Sequence, residues 1–421
     1  MSSGNVSSGH PWSLAYFATL LLTLVATGAL YLLYLSGLQA GGFDAAGLLL
    51  GRDFLNLHFA GTLLGQGEMT TLFDQQAYAE AMRAHLGRDY TIHNWSYPPH
   101  MFPVAQLAAS LPYFVALTCV GARLAGVPLA WLLPIVLSPA VTVNLLAGQN
   151  GTYTAGLLLL ALTLAERRCW LGAGLCWALL TVKPHLGLLA LPMVLVRRQW
   201  RIVAAGAVGL SVIVALTLAL YGAEPWRLFL TETTAQQRVV VEEWRGLLLK
   251  LMPTAFIAGR LAGLETGAAY LLHGGVAVLT LLLLWRSWPG QGGMLRDWIT
   301  WFSLGTFLLL PYSFYYDLVI LQVMLVLWVG DPKGLFPTRS EAVAQIAWYV
   351  AWFLPYLCYL AAFAWNLQPA PVLLLLMLFG RVMAQRRAGR RLVGGLGVQR
   401  LGRRVRSGKA SKARARHGAW I

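Results

Sequence analysis

The sequence predicts an all-α polytopic membrane protein, and three observations predict it. Hydrophobic residues make up 58% of the 421-residue chain and charged residues only 11%, whereas soluble domains carry about 25% charged residues. Apolar runs at 12–35, 202–221 and 267–285 are long enough to cross a hydrocarbon core as helix, at about 1.5 Å per residue. Lys and Arg gather in the short hydrophilic turns between apolar stretches, as the cytoplasmic ends of membrane helices require.

Taken in order, the 12–35 run reads as a retained first span. Its apolar part is too long for a cleavable leader, no Lys or Arg precedes it, and a small-residue cleavage pattern is missing. Basic residues then mark successive cytoplasmic ends. Arg123 follows 101–121, Arg167-Arg168 follow 151–165, and Arg197, Arg198 and Arg201 follow 185–196. Arg286 follows 264–285, and Lys333 and Arg339 lie beyond 317–330. Placing all of them inside gives about twelve spans with both termini cytoplasmic. The organisation expected is a short cytoplasmic segment 1–13, an integral membrane domain 14–382, and a disordered cytoplasmic tail 383–421.

Two longer segments fall on the outer side, about 36–100 and 222–250. In the first, Phe54, Leu55, Leu57, Phe59, Leu63 and Leu64 predict an amphipathic helix broken near Gly65 and Gly67, and a second helix follows over 75–85. The second segment, with Trp226 and Trp244, reads as an interfacial loop. The 151–165 and 185–196 runs fall short of the roughly 20 residues of a straight crossing. Non-helical backbone at membrane depth needs protein or a wet cavity around it, so a cavity opening outward is expected.

The net charge of +16 resides mostly in the tail. From residue 381 to 421 there are thirteen Lys or Arg and no acid, leaving +3 for the rest. Such a tail fixes topology and attracts anionic lipid headgroups. It lacks the aromatic interleaving of a nucleic-acid surface, so no nucleic-acid partner is expected. Cys119, Cys169, Cys176 and Cys358 form neither a metal pair nor a disulfide framework and read as small core residues.

The chemistry-bearing residues collect on the predicted outer side. Lys183, in Thr181-Val182-Lys183-Pro184-His185, ends an apolar span. It reads either as a snorkelling lysine stopped by proline or as a cation for a phosphate, with His185 as a second donor. Asp53 opens the first outer helix, as its N-cap or as a general base; the two roles are compatible. Gln149 and Asn150 serve as interhelical hydrogen-bonders or as holders of sugar hydroxyls. Tyr97-Pro98-Pro99-His100 is a rigid lead-in to the next span, and Asp317 follows Tyr315-Tyr316 at the start of another. His58, Asp74 and His100 lean structural. No Gly-rich phosphate loop and no Asp-x-Asp pair is present, which argues against a nucleotide-sugar site. No metal cluster and no cofactor motif is evident.

These residues resemble, in order, the motifs of glycosyltransferase family 87 in the GT-C superfamily. Gly51-Arg52-Asp53-Phe54 with Leu72-Phe73-Asp74 resembles the acidic first outer loop, although Phe73 replaces the more usual tyrosine. Trp95-Ser96-Tyr97-Pro98-Pro99 resembles the aromatic-proline lead-in. Ser138-Pro139-Ala140 through Gly148-Gln149-Asn150-Gly151 resembles the most distinctive segment. Val182-Lys183-Pro184-His185 with Arg197-Arg198-Gln199-Trp200 resembles the next, and Pro311-Tyr312 with Tyr316-Asp317-Leu318 a late motif.

The resemblance implies a GT-C-like bundle that takes a sugar, mannose being the best known, from a polyprenyl-phosphate carrier at the outer leaflet of a bacterial plasma membrane. The expected reaction is an inverting hexosyl transfer to an envelope glycan or glycolipid. Asp53 is the expected base. Lys183, His185 and, more weakly, Arg238 face the donor phosphate; Gln149, Asn150, Tyr97, His100 and Asp317 orient sugar or acceptor. The competing classes are a lipid-linked-sugar flippase or transporter, which needs polar residues along a path to both faces, and an envelope polymerase or ligase, which needs an extended outer groove.

Overall fold

Apolar runs without polar breaks form the long helices. The computed structural model describes residues 14–387 apart from 40–41, 44–48, 50, 88–93, 108–109, 243–246 and 291–292. The 1–13 segment and the tail from 388 onward lie outside the described residues. There is no β-strand among the described residues, only isolated bridges at Gln39, Phe43 and Leu49.

Helices Leu14–Ser36, Trp200–Tyr221 and Thr266–Arg286 are each long and apolar enough to cross a membrane. They turn leucines outward, among them Leu33, Leu220 and Leu271, which suits lipid and not water as the surrounding solvent. Their buried sides carry hydroxyl residues that tie helices together. Trp352 Nε1 donates to Thr23 Oγ1 at 2.9 Å, and Thr27 Oγ1 donates to the Leu137 carbonyl at 3.1 Å.

Three further pairs of helices are bent, and counting each as one span gives up to six crossings. Two of the three breaks fall beside proline, at Pro139 and Pro355, where the missing N–H and the ring disfavour a continuous helix. Shorter apolar helices cover Gly151–Glu166, Trp170–Val182, Pro184–Val196 and Tyr315–Leu327. The expected path of about twelve spans thus stands as three clear crossings, up to six with the bent pairs. Helix Gly151–Glu166 is buried along almost its whole length, as expected for a helix apolar all round. Helix Ser110–Leu124 lies against it, with Thr118 Oγ1 donating to the Thr152 carbonyl at 2.5 Å.

Within the 36–100 segment, helices Arg52–Gln66 and Gln75–Leu86 flank a 3-10 turn, Met69–Phe73. Gly67 ends the first at φ 82°, the left-handed conformation glycine adopts cheaply. Asp74 caps the second by accepting from the Ala77 N–H at 2.9 Å. The segment has its own core of Leu57, Phe59, Phe73, Tyr78, Trp95 and Phe102. Inside it the Tyr78 hydroxyl donates to Asn56 Oδ1 at 2.5 Å.

The 222–250 segment departs from the loop expected. It is largely helical, through Glu224–Leu228, a π-turn at Phe229–Thr233, Thr234–Glu242 and Leu247–Lys250. Its single proline, Pro225, sits in the first turn, where no backbone donor is lost. The cysteines also divide: Cys176 and Cys358 are buried, but Cys169 is exposed, because it falls in the turn after Arg168 and not inside a helix.

Candidate active site

The Gly148-Gln149-Asn150-Gly151 turn connects helix Pro139–Ala147 to the buried helix Gly151–Glu166. Gly148 takes φ 65°, and a Cβ there would lie 2.0 Å from the Gly51 carbonyl oxygen and 2.4 Å from the Phe54 nitrogen. A Cβ on Gly151 would lie 1.8 Å from the Tyr316 carbonyl oxygen. The turn is therefore wedged between the start of helix Arg52–Gln66 and the Tyr315–Leu318 turn, and only glycine permits both approaches. Asn144, not singled out from sequence, knits this turn. Its Oδ1 accepts from the Gly151 N–H at 2.6 Å and its carbonyl from the Gln149 N–H at 2.9 Å. The available signal was one amide inside the apolar stretch 139–147.

On one side, Gly51 and Arg52 both take positive φ, 78° and 29°, and the helix begins at Arg52. The cap position is Gly51, so Asp53 is not the N-cap expected. It occupies the first turn, where the helix dipole still favours a carboxylate.

On the other side, Asp317 meets Lys183. Nζ lies 2.8 Å from Oδ1, with side chains 10% and 1% exposed for Lys183 and Asp317. The second carboxylate oxygen, Oδ2, accepts from the Phe314 N–H at 3.1 Å. The Lys183 ammonium also lies 4.8 Å from the centre of the Tyr316 ring. Lys183 is thus neither snorkelling to water nor an unpaired cation. Asp317 is its counterion, a pairing that a separation of 134 residues concealed.

Between the two sides stand the polar residues of the turn. The Tyr97 hydroxyl donates to Gln149 Oε1 at 3.3 Å, with the Asn150 side chain beside the same phenol. Gln149 and Asn150 are buried, and Asn150 Oδ1 finds no hydrogen-bond partner among the described residues. Burial, followed by the charges of Asp53 and Asp317, holds the Tyr97 phenol well above its ordinary value. Burial and the same two carboxylates, Asp317 before Asp53, raise Tyr312 as well. Both aspartates are therefore within electrostatic reach of the same two phenols, which stay protonated donors at neutral pH. The His185 ring meets Tyr312 edge-on at 5.8 Å.

Other expected residues have different partners. His100 shares a hydrogen bond between Nε2 and Thr181 Oγ1 at 3.3 Å and stacks on Trp226 at 5.9 Å, at the seam with helix Glu224–Leu228. His58 is exposed and stacks on Phe54. Arg238 belongs to helix Thr234–Glu242; its side chain, like Trp244, lies outside the described residues. Among the described residues no group of three or more His, Cys, Asp or Glu is placed to hold a metal ion.

This arrangement offers a carboxylate at a helix start, a buried ammonium–carboxylate pair, and phenol and amide groups between them. It suits proton removal at one end and anion recognition at the other. A family model described as glycosyltransferase family 87 matches residues 94–311, just over half of the chain, which takes in Tyr97, Gln149, Asn150, Lys183 and His185. No curated protein and no solved structure matches.

Proposed function

Because this chain belongs to glycosyltransferase family 87, we propose that it moves a hexose, with mannose the first candidate, from a polyprenyl-phosphate carrier to an envelope glycan or glycolipid. The reaction is placed at the outer face of a bacterial plasma membrane, with both termini cytoplasmic and the basic tail on anionic lipid. One observation carries this reading: the Gly148–Gly151 turn packs against the start of the helix that bears Asp53 and against the turn that bears Asp317, paired with Lys183, while its Gln149 bonds Tyr97. Outside the cytosol nucleotide sugars are absent, so a lipid-borne sugar phosphate is the natural donor. Its polyprenyl tail needs the hydrocarbon that the exposed leucine faces already meet.

In the proposed step Asp53 takes the proton of the acceptor hydroxyl as its oxygen attacks the anomeric carbon from the face opposite the phosphate. The anomeric C–O bond to the phosphate breaks, the electron pair stays on the phosphate oxygen, and the sugar inverts. Lys183, with His185 beside it, offsets charge on the departing phosphate; such help at a dry site is a large catalytic term. Gln149, Asn150 and Tyr97 supply the hydroxyl and amide contacts that fix the sugar.

The test is mass spectrometry of envelope glycans and glycolipids from a deletion strain complemented with wild type or Asp53→Asn. A product one sugar lighter in both the deletion and the Asp53→Asn strain is expected. Unchanged products in the deletion, or a carrier-linked sugar accumulating on the inner leaflet, would replace transfer with transport.

A further inference from the structure

Asp317 is committed on both oxygens, to Lys183 through Oδ1 and to the Phe314 N–H through Oδ2, and its side chain is 1% exposed. It has little left to offer a sugar hydroxyl. What it does offer is a negative charge, held in place from behind by the backbone, against the ammonium. A lysine this buried needs a counter-charge while no substrate is bound.

The chemistry of the transfer makes that counter-charge useful a second time. The acceptor proton goes to Asp53, the new glycosidic C–O bond forms, and the bond from the anomeric carbon to the phosphate oxygen breaks. A phosphodiester with one negative charge thereby becomes a monoester with about 1.5 to 2 negative charges at pH 7. The product is held by a cation more tightly than the substrate, and an uncontested ammonium would retain it.

We infer that Asp317 is a positioning residue that stands in for the donor phosphate at Lys183 and reclaims the ammonium after transfer, expelling the polyprenyl phosphate. This inference rests on the reading of Lys183 as the donor-phosphate cation. A lysine ammonium has three N–H donors, so an incoming phosphate engages Lys183 before Asp317 gives it up, and Asp317 returns by the same route.

The experiment titrates farnesyl phosphate, with farnesol as the uncharged control, into purified wild type and Asp317→Asn. Asparagine keeps an oxygen for the Phe314 N–H and removes only the charge. Asp317→Asn is expected to bind farnesyl phosphate about tenfold tighter and farnesol equally. In turnover, kcat and the KM for a polyprenyl-phosphate-linked sugar should fall together while product inhibition strengthens. Equal or weaker binding of farnesyl phosphate, or a raised KM with unchanged product inhibition, overturns the inference.

If the unpaired lysine prevents Asp317→Asn from folding, farnesyl phosphate added during purification should restore it where farnesol does not; absence of that rescue also overturns the inference. The underlying reading fails separately. Wild type that prefers farnesyl phosphate no more than farnesol, with Lys183→Gln unchanged, removes Lys183 from the phosphate altogether. Binding that depends on Lys183 but ignores Asp317 sinks only the stand-in role.

Discussion

Gly148→Ala tests whether the wedged turn sets the position of the proposed base. The added Cβ would stand 2.0 Å from the Gly51 carbonyl oxygen, where ordinary contact begins at 3.4 Å, so the two segments must part by about 1.4 Å. Holding alanine at φ 65° costs roughly 1 kcal/mol, and relieving the overlap costs about 1–3 kcal/mol more. Because the Phe54 nitrogen lies next nearest, at 2.4 Å, the displacement falls on the first turn that carries Asp53. A shift of about 1 Å at a reacting group costs on the order of 10²-fold in rate. The assay is kcat/KM for a polyprenyl-phosphate-linked sugar with purified protein, alongside thermal unfolding followed by tryptophan fluorescence. Gly274→Ala, with nothing within 4 Å of its Cβ, is the control and should change neither activity nor folding for the worse. Folded Gly148→Ala within twofold of wild-type kcat/KM would show that the start of the Asp53 helix need not sit where the turn puts it.

Lys183→Met leaves Asp317 buried without its partner and should lower unfolding free energy by about 3–5 kcal/mol. Lys183→Met with Asp317→Asn should recover most of that stability but no transferase activity; equal instability of the single and double variants would refute the pairing. Asn144→Ala strips the Gly151 N–H of its acceptor and should cost about 1–3 kcal/mol, measurable as a lower unfolding midpoint, with a smaller loss taken as refutation. Cys169 is exposed whereas Cys176 and Cys358 are buried. A membrane-impermeant maleimide should therefore label intact right-side-out vesicles poorly and label Cys169 after permeabilisation. Ready labelling of Cys169 in intact vesicles would invert the proposed orientation.

The long crossings were legible because an uninterrupted apolar run of about 20 residues has few other uses; Leu14–Ser36, Trp200–Tyr221 and Thr266–Arg286 are of that kind. The bent pairs were less legible, since a proline marks a break without giving the direction of the next helix. At the site, Gly148-Gln149-Asn150-Gly151 stood out as a polar interruption, and the structure brings Tyr97 to it. The relation of Lys183 to Asp317 was not legible. A buried charge announces that it needs a partner, but a single sequence does not carry which of several distant carboxylates supplies it. Of the two roles open to Asp53, the N-cap falls to Gly51, because helix starts are uncertain by a residue or two and positive φ at Gly51 and Arg52 moves this one. Asn144 passed unnoticed because one amide in an apolar helix resembles many that only glue helices.

Helix Gly151–Glu166 has 16 residues and so spans about 24 Å, while the hydrocarbon of a bilayer is about 30 Å thick. Its ends are polar, with Asn150 before it and Glu166, paired to Arg197 at 2.5 Å, closing it. The helix is buried along almost its whole length, so protein and not lipid surrounds this short rod, and its length need not match the bilayer. The hydrocarbon is matched instead by the long helices with exposed leucines, which at 21 to 23 residues are about 31–35 Å long. Bilayer thickness is then taken up at the rim of the bundle and not at Gln149 and Asn150, and reconstitution across acyl-chain lengths should change turnover little.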